Sequence, residues 1–136
     1  MFNDINQELV DKGLAAYKAD GIKAHGYVSD VTNEEQFVEM VSRIEADVGV
    51  IDILVNNASI IKRIPMHEIS AKDFRQVIDI DLTGPYICAK SVIPSMLKKG
   101  SGKIINICSM MSELGHEIIS AYAAVKDEPN RRVPPR

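Results

Sequence analysis

Residues 51–59 read IDILVNNAS, a short apolar run that leads directly into two amides and a hydroxyl. A nearly continuous apolar run of this length is typical of a parallel strand with both faces buried. Residues 103–108 (KIINIC) repeat the pattern, and residues 24–28 are a shorter candidate that is followed by Asp30. A further strand remnant ends at Asp4. We therefore predict short buried strands with polar side chains beyond their carboxyl ends.

The stretches between these strands have the periodicity of amphipathic helices. For the helix predicted over residues 6–20, which Gly21 ends, the predicted inner face consists of Leu9, Gly13, Ala16 and Tyr17. For the next helix, the predicted apolar stripe consists of Phe37, Val41, Ile44 and Val48. Thr32 followed by Glu35 predicts a capping box at the start of this second helix.

A third helical stretch covers residues 71–98 and begins with another capping signal, Ser70 followed by Asp73. Two prolines fall inside this stretch, and each removes a backbone donor. We expect a kink or break at residues 84–85, where glycine precedes the first of these prolines. A last helix begins at Ser120.

The alternation of strands and helices predicts an α/β fold, a doubly wound parallel sheet of the Rossmann-like kind. In such sheets ligands bind beyond the carboxyl ends of the strands. Asp30, residues 56–59 and Ser109 all follow predicted strands. We therefore expect these polar side chains to meet at one edge of the sheet.

Composition narrows the classes of function. The chain has 136 residues and a net charge of −3, so electrostatics favour neither nucleic acid nor an anionic membrane as a partner. No apolar run is long enough to span a bilayer, the start lacks a signal-peptide pattern, and we expect a cytoplasmic protein. Cys88 and Cys108 lie in apolar runs and are interpreted as reduced core thiols. The three histidines are dispersed, so we predict no metal site.

Tyr122 and Lys126 are four residues apart and share one face of a helix. An ammonium beside a phenol favours the phenolate, which makes a base suited to moving a proton on or off an alcohol oxygen. Ser109, at the carboxyl end of a predicted strand, could hold the same oxygen. By itself the spacing is weak, because a surface Tyr and a surface Lys often occur four residues apart.

The run GKIINICSMMSELGHEIISAYAAVK resembles the active-site segment of the short-chain dehydrogenase/reductase family, with the Ser, Tyr and Lys at the family's spacing. NNAS at residues 56–59 is similar to the family's N-N-A-G, and Ser29-Asp30-Val31 is similar to the Asp-Val that meets adenine. Asp4 matches an acidic residue that binds the ribose hydroxyls and favours NAD over NADP. The resemblance thus implies a cofactor-binding set: Asp4, Asp30, Val31, Asn57, Ala58, Ser59, Tyr122 and Lys126.

Within the family, stretches such as FNDINQELVDKGLAAYKADGI are similar to those of the gluconate 5-dehydrogenases. This similarity implies a sugar-acid substrate, D-gluconate or 5-keto-D-gluconate, and a homo-oligomer in the intact family. Arg63 or Lys62 could bind the substrate carboxylate, although both could equally be solvated loop cations. Met110 and Met111 could line the substrate pocket or pack in the core.

The sequence also departs from the family pattern. The glycine-rich phosphate turn is absent, so we expect residues 1–126 to form a partial NAD-binding domain without the first βα unit and the C-terminal strands. We interpret residues 127–136 as an irregular, non-native tail. Asp81 stands where the family often has a catalytic Asn, and Ser59 stands where it has Gly. The alternative to an oxidoreductase is a truncated fragment without activity of its own.

Overall fold

The computed structural model describes residues 1–109 and 120–127. Met110, Met111 and residues 128–136 lie outside the described part. The described elements, in chain order, are β1 (Phe2–Asp4), α1 (Gln7–Ala19), β2 (Gly26–Val28), α2 (Glu34–Asp47), β3 (Ile53–Asn56), α3 (Ala71–Ile78), a π-helical segment (Asp79–Thr83), α4 (Gly84–Lys99), β4 (Lys103–Asn106) and α5 (Ser120–Asp127).

The strands pair in parallel, as predicted, but they form two separate pairs. In the first pair, Phe2 lies opposite Gly26 in the register of β1 and β2. In the second pair, Ile53 lies opposite Lys103 in the register of β3 and β4. Within the described residues, β1 and β3 are not hydrogen-bonded to each other, and a groove of about 570 Å³ is lined by both strands. The parallel α/β prediction is confirmed, whereas a continuous sheet does not form.

The main core lies between α2, α4 and the start of β3. Its buried members are Phe37, Met40, Val41, Ile44, Ile51, Ile87, Cys88, Val92 and Met96. The predicted stripe of α2 is therefore correct for three of its residues, but it includes Val48, which is exposed, and omits Met40. Val48 follows the last helical residue, so its side chain is no longer held on the stripe. Asn33 caps α2 by accepting from the Gln36 backbone N–H at 3.1 Å, one residue later than predicted.

Helix α1 packs on β2 through a face different from the predicted one. Val10 is the buried residue of α1, while Leu9 and Tyr17 are exposed. A Cβ at Gly26 would lie 2.6 Å from the Val10 side chain, so the helix can approach the strand only because residue 26 is glycine. A strand of three residues offers α1 a small surface, and this selects Val10 over the wider apolar stripe.

The strands β3 and β4 are less buried than their apolar sequences predict. Ile53 is 54% exposed and Val55 is 50% exposed, and every residue of β4 is exposed. Helix α4 packs against β3, and among the described residues no comparable element covers the other face of this pair. The prediction of strands buried on both faces is therefore wrong for the chain as described.

The break predicted at residues 84–85 takes the form of the π-helical segment. The Gly84 backbone N–H donates to the carbonyl of Asp79, five residues earlier, so the helix is widened just before the proline. Pro85 then occupies the first turn of α4, where a backbone donor would have no helical partner. The widened turn places Asp81 on the inner side of the helix, where it is 3% exposed.

The two cysteines have different environments. Cys88 is buried in the main core, and this burial raises the pKa of its thiol to about 12. Cys108 is exposed, so its interpretation as a core thiol is wrong. Residue 108 lies beyond the end of β4, on the pair whose outer face is open. None of the helices in the described ranges is long and apolar enough to cross a membrane.

Two valines on α2 provide a matched test of the core. Val41 is 5% exposed and Val38 is 46% exposed on the same helix. Val41→Ala should lower the free energy of unfolding by about 2 kcal/mol, because it removes buried methyl groups and leaves a cavity. Val38→Ala should change it by less than about 0.5 kcal/mol. Urea denaturation measures both, and equal losses for the two variants would contradict this assignment of the core.

Candidate functional site

One groove brings together the loop residues that were predicted to bind a cofactor. The 570 Å³ groove between the two strand pairs is lined, among others, by Asp4, Asp30, Val31, Asn57, Ala58 and Ser59. These residues lie at or just beyond the carboxyl ends of β1, β2 and β3. Three stretches that are far apart in sequence thus converge, as the topology predicts.

Asp4 ends β1 at the rim of the groove. Its backbone carbonyl accepts from the Ser29 N–H at 3.0 Å, and its carboxylate Oδ1 accepts from the Asn6 N–H at 2.9 Å. Asn6 in turn caps α1 by accepting from the Glu8 N–H at 2.8 Å. The Asp4 carboxylate is therefore held by the turn that begins α1, with its position set by local backbone geometry.

Asp30 is fixed in a similar way at the end of β2. Its Oδ1 accepts from both the backbone N–H and the hydroxyl of Thr32, each at 2.8 Å. Beside it, the hydroxyl of Ser29 is buried, lines the groove and has no hydrogen-bond partner among the described residues. A buried hydroxyl without a partner is costly, so a ligand that pairs with Ser29 would gain by binding here. Sequence reasoning did not single out Ser29.

Two asparagines tie the second strand pair together at its carboxyl edge. The Asn56 side-chain amide donates to Asn106 Oδ1 at 2.8 Å, between residues that lie opposite each other in the parallel register. The Ile107 backbone N–H also donates to the Asn56 carbonyl at 3.0 Å. Asn56 therefore holds β4 in register, directly before the loop that carries Asn57.

Asp81 reaches the same loop from the π-helical segment. The Ser59 hydroxyl donates to Asp81 Oδ2, and the Ile60 backbone N–H donates to Oδ1 at 2.9 Å. Sequence reasoning placed Asp81 among the catalytic residues near Tyr122. In the structure, Asp81 also accepts two hydrogen bonds from the loop after β3, which lies more than twenty residues earlier in the sequence.

The other three predicted catalytic residues lie in two places, after β4 and on α5. Ser109 is half-buried, three residues beyond the end of β4. Tyr122 and Lys126 lie one turn apart on the backbone of α5, and Tyr122 is half-buried. Tyr122 packs against a second hydrophobic cluster, which consists of Val77, Ala121 and Val125. Neither Ser109 nor Tyr122 is among the described residues that line the groove, so the groove gathers six of the eight residues predicted to bind a cofactor and leaves Tyr122 outside.

Lys62 and Arg63, the two candidates for a substrate carboxylate, have different surroundings. Lys62 forms an ion pair with Asp73, whose carboxylate also accepts from the Ser70 hydroxyl at 2.6 Å. The hydrogen bond from Lys62, followed by that from Ser70, lowers the pKa of Asp73. Lys62 is thus part of the start of α3, whereas Arg63 is exposed. No group of three potential metal ligands occurs within residues 1–109 and 120–127.

Parallel strands that are connected through helices, with polar residues beyond their carboxyl ends, are characteristic of a nucleotide-binding α/β protein. The rest of the groove is lined mainly by apolar side chains, among them Phe37 and Val41 of the main core. The family model for short chain dehydrogenases matches residues 1–128, and the chain belongs to this family. The 2-dehydro-3-deoxy-D-gluconate 5-dehydrogenase of Formosa agariphila is 51% identical over 121 residues, which are 89% of this chain and 46% of that protein.

Solved structures agree in fold. The 2-keto-3-deoxy-D-gluconate dehydrogenase of Streptococcus agalactiae is 70% identical with a TM-score of 0.74, covering 92% of this chain and 47% of that one. A gluconate 5-dehydrogenase from Burkholderia cenocepacia, solved with NADP and tartrate, is 38% identical with a TM-score of 0.85, covering 92% and 49%. The chain therefore spans about half the length of the relatives it matches.

The Lys62–Asp73 pair makes a prediction about pH. Because the folded-state pKa of Asp73 is lowered, its ionised form stabilises the fold above the unfolded-state value of about 3.9, and this contribution disappears as the pH falls through the folded-state pKa. Asp73→Asn should therefore lower the urea midpoint at pH 7, and this loss should shrink as the pH falls through the folded-state pKa of Asp73. Lys62→Met should lower the midpoint by a smaller amount, because the hydrogen bond from Ser70 to Asp73 remains, and the double variant should lose less than the sum of the two single variants. A loss that persists at low pH would contradict the assignment.

Proposed function

We propose that this chain carries the cofactor side and the tyrosine–lysine pair of an oxidoreductase that moves hydride between NAD(P) and a sugar acid. The main observation in support is that Asp4, Asp30 and the loop at residues 57–59, which end or follow three different strands, line the same groove. In the sequence, each of these positions resembles a motif of the family to which the chain belongs. The reaction class is the conversion of a secondary alcohol to a ketone, or the reverse.

The groove fits a dinucleotide by its donor and acceptor set. The carboxylate of Asp4 is suited to accept from ribose hydroxyls, and it would repel a 2′-phosphate, which favours NAD over NADP. Asp30 and the buried hydroxyl of Ser29 supply an acceptor and a further hydrogen-bonding group for the adenine end. One relative was solved with NADP, so the preference for NAD rests on Asp4 alone.

The chemistry of the bound cofactor is to accept or donate the hydride. The residues of this chain handle the proton. Tyr122 acts as the general base that takes the hydroxyl proton of the alcohol, and it returns that proton in the reverse direction. Ser109 would donate a hydrogen bond that orients the substrate oxygen. By resemblance to the family, Lys126 would stabilise the phenolate of Tyr122 and help to hold the nicotinamide ribose.

The substrate we propose is a six-carbon sugar acid. Sequence reasoning favoured D-gluconate and 5-keto-D-gluconate, and one relative at 38% identity is named for gluconate. The relatives at 51% and 70% identity are named for the 2-keto-3-deoxy form, and this supports it as the stronger candidate within the same class. Arg63 is exposed, and its guanidinium is suited to hold the carboxylate that both substrates share.

A second candidate is that the chain is a fragment without activity of its own. The observation in its favour is the split sheet, because β1 and β3 are not paired with each other in the described residues and their apolar side chains are exposed. Open strand edges favour self-association over a stable binding site.

Tyr122→Phe separates chemistry from binding. We expect it to lower the turnover of sugar acid by about 100-fold or more, because the general base is lost. The dissociation constant for NAD, measured by calorimetry, should change by less than about threefold. Tyr86→Phe is the control, since Tyr86 is exposed on α4. An unaltered chain that neither binds NAD nor turns over substrate would support the fragment instead.

Arg63→Ala tests the substrate carboxylate. Losing a charge-assisted pair with the substrate should raise KM for D-gluconate and for 2-keto-3-deoxy-D-gluconate by about tenfold, with kcat little changed. A neutral polyol should show no change in KM. Arg75→Ala, an exposed cation on α3, is the matched control. Equal KM values in the unaltered and Arg63→Ala proteins would remove Arg63 from the site.

A further inference from the structure

We propose that Asp81 is a positioning residue that fastens the loop after β3 to the helix carrying Tyr122. The inference rests on the proposed function for its effect on the reaction, but its geometry stands without it. We call Asp81, Ser59 and Ile60 the Asp81 latch. In the latch, one carboxylate receives a hydroxyl from Ser59 and a backbone N–H from Ile60.

Burial makes these two hydrogen bonds strong determinants of loop position. Asp81 is 3% exposed, and a buried carboxylate is tolerated only where donors replace the water it has lost. Hydrogen bonds to a charged acceptor are roughly twice as strong as those between neutral groups. The carboxylate lies on the widened turn, so the hydrogen bonds from Ser59 and Ile60 hold the loop against the π-helical segment.

The Asp81 latch is in contact with the hydrophobic cluster against which Tyr122 packs. The side chain of Ile60 packs against the hydrophobic cluster of Val77, Ala121 and Val125, and so does the ring of Tyr122. The backbone N–H of Ile60 is held by Asp81 while its side chain is held by this cluster. Ile60 therefore connects the loop that lines the groove with α5, the helix that carries Tyr122, the predicted general base.

The two residues that depart from the family pattern in this region are in contact with each other. Ser59 stands where the pattern has Gly, and Asp81 stands where it has Asn. A glycine has no side-chain donor, so the hydroxyl of Ser59 adds a hydrogen bond to Asp81 Oδ2 that the glycine could not make. The two departures form one interaction, which supports a positioning role for the pair.

Hydrogen exchange of the Ile60 amide tests the latch without any assay of activity. In the ¹⁵N-labelled chain, Asp81→Ala should lower the protection of this amide by about 10-fold or more, because its buried acceptor is lost. Asp81→Asn should restore most of the protection, since its carbonyl oxygen can still accept. Asp79→Ala removes an exposed carboxylate from the same segment and is the control.

A second readout concerns the reaction. Asp81→Ala should weaken NAD binding and lower turnover by about 10-fold each, and Asp81→Asn should recover most of both losses. If Asp81 acted on Tyr122 through its charge, Asp81→Asn would shift the pH profile of turnover as far as Asp81→Ala does, and positioning would be overturned. Ile60 protection that is unchanged in Asp81→Ala would also overturn it.

Two safeguards keep the outcomes separate. If Asp81→Ala does not fold, Ser59→Ala tests the Asp81 latch instead. Loss of the hydrogen bond to Asp81 Oδ2 should lower the protection of the Ile60 amide by about threefold. Unchanged protection in Ser59→Ala would overturn the latch. If the unaltered chain binds no NAD, the proposed function fails while the exchange experiment still confirms or rejects the Asp81 latch.

Discussion

The parallel pairing of β3 with β4 and of β1 with β2 is the constraint on which the rest of the structure depends. Parallel strands that pair place their carboxyl ends on one side. Residues that follow different strands therefore lie close together although they are far apart in the sequence. The cross-strand bond from Asn56 to Asn106 holds this register at the point where the loop begins. Asp4, Asp30 and Asn57, which end or follow three of these strands, line one groove.

The same constraint leaves the chain with exposed edges. Among the described residues, each strand is hydrogen-bonded to a neighbouring strand on one side only, and the groove separates β1 from β3. Ile53 and Val55 are apolar and yet about half exposed, in a sequence whose pattern is that of a buried strand. Among the described residues, the unpaired edges of β1 and β3 and most of the residues predicted to bind a cofactor lie in the same groove.

Much of the fold follows from local signals, and its errors have a common cause. The capping pair Ser70 and Asp73 and the break before Pro85 occur where the residues predict them, because caps and proline act within one helical turn. The inner face of α1 and the environment of Cys108 were predicted wrongly, because burial depends on what covers an element. Periodicity ranks the faces of a helix, but Gly26 decided which face of α1 approaches the strand.

For the site, the amino-acid sequence by itself determined the identities and spacing of the chemical groups, from Asp4 through Ser109 to Lys126, and the order of strands that brings the loop residues to one edge. Those properties are local or topological, so they can be derived from residue types and periodicity. Only the tertiary structure decided that Lys62 forms an ion pair with Asp73, that the Ser29 hydroxyl is buried in the groove, and that Asp81 accepts hydrogen bonds from Ser59 and Ile60. Each of these is a contact or a burial set by packing between segments, and such distances are fixed by the fold as a whole.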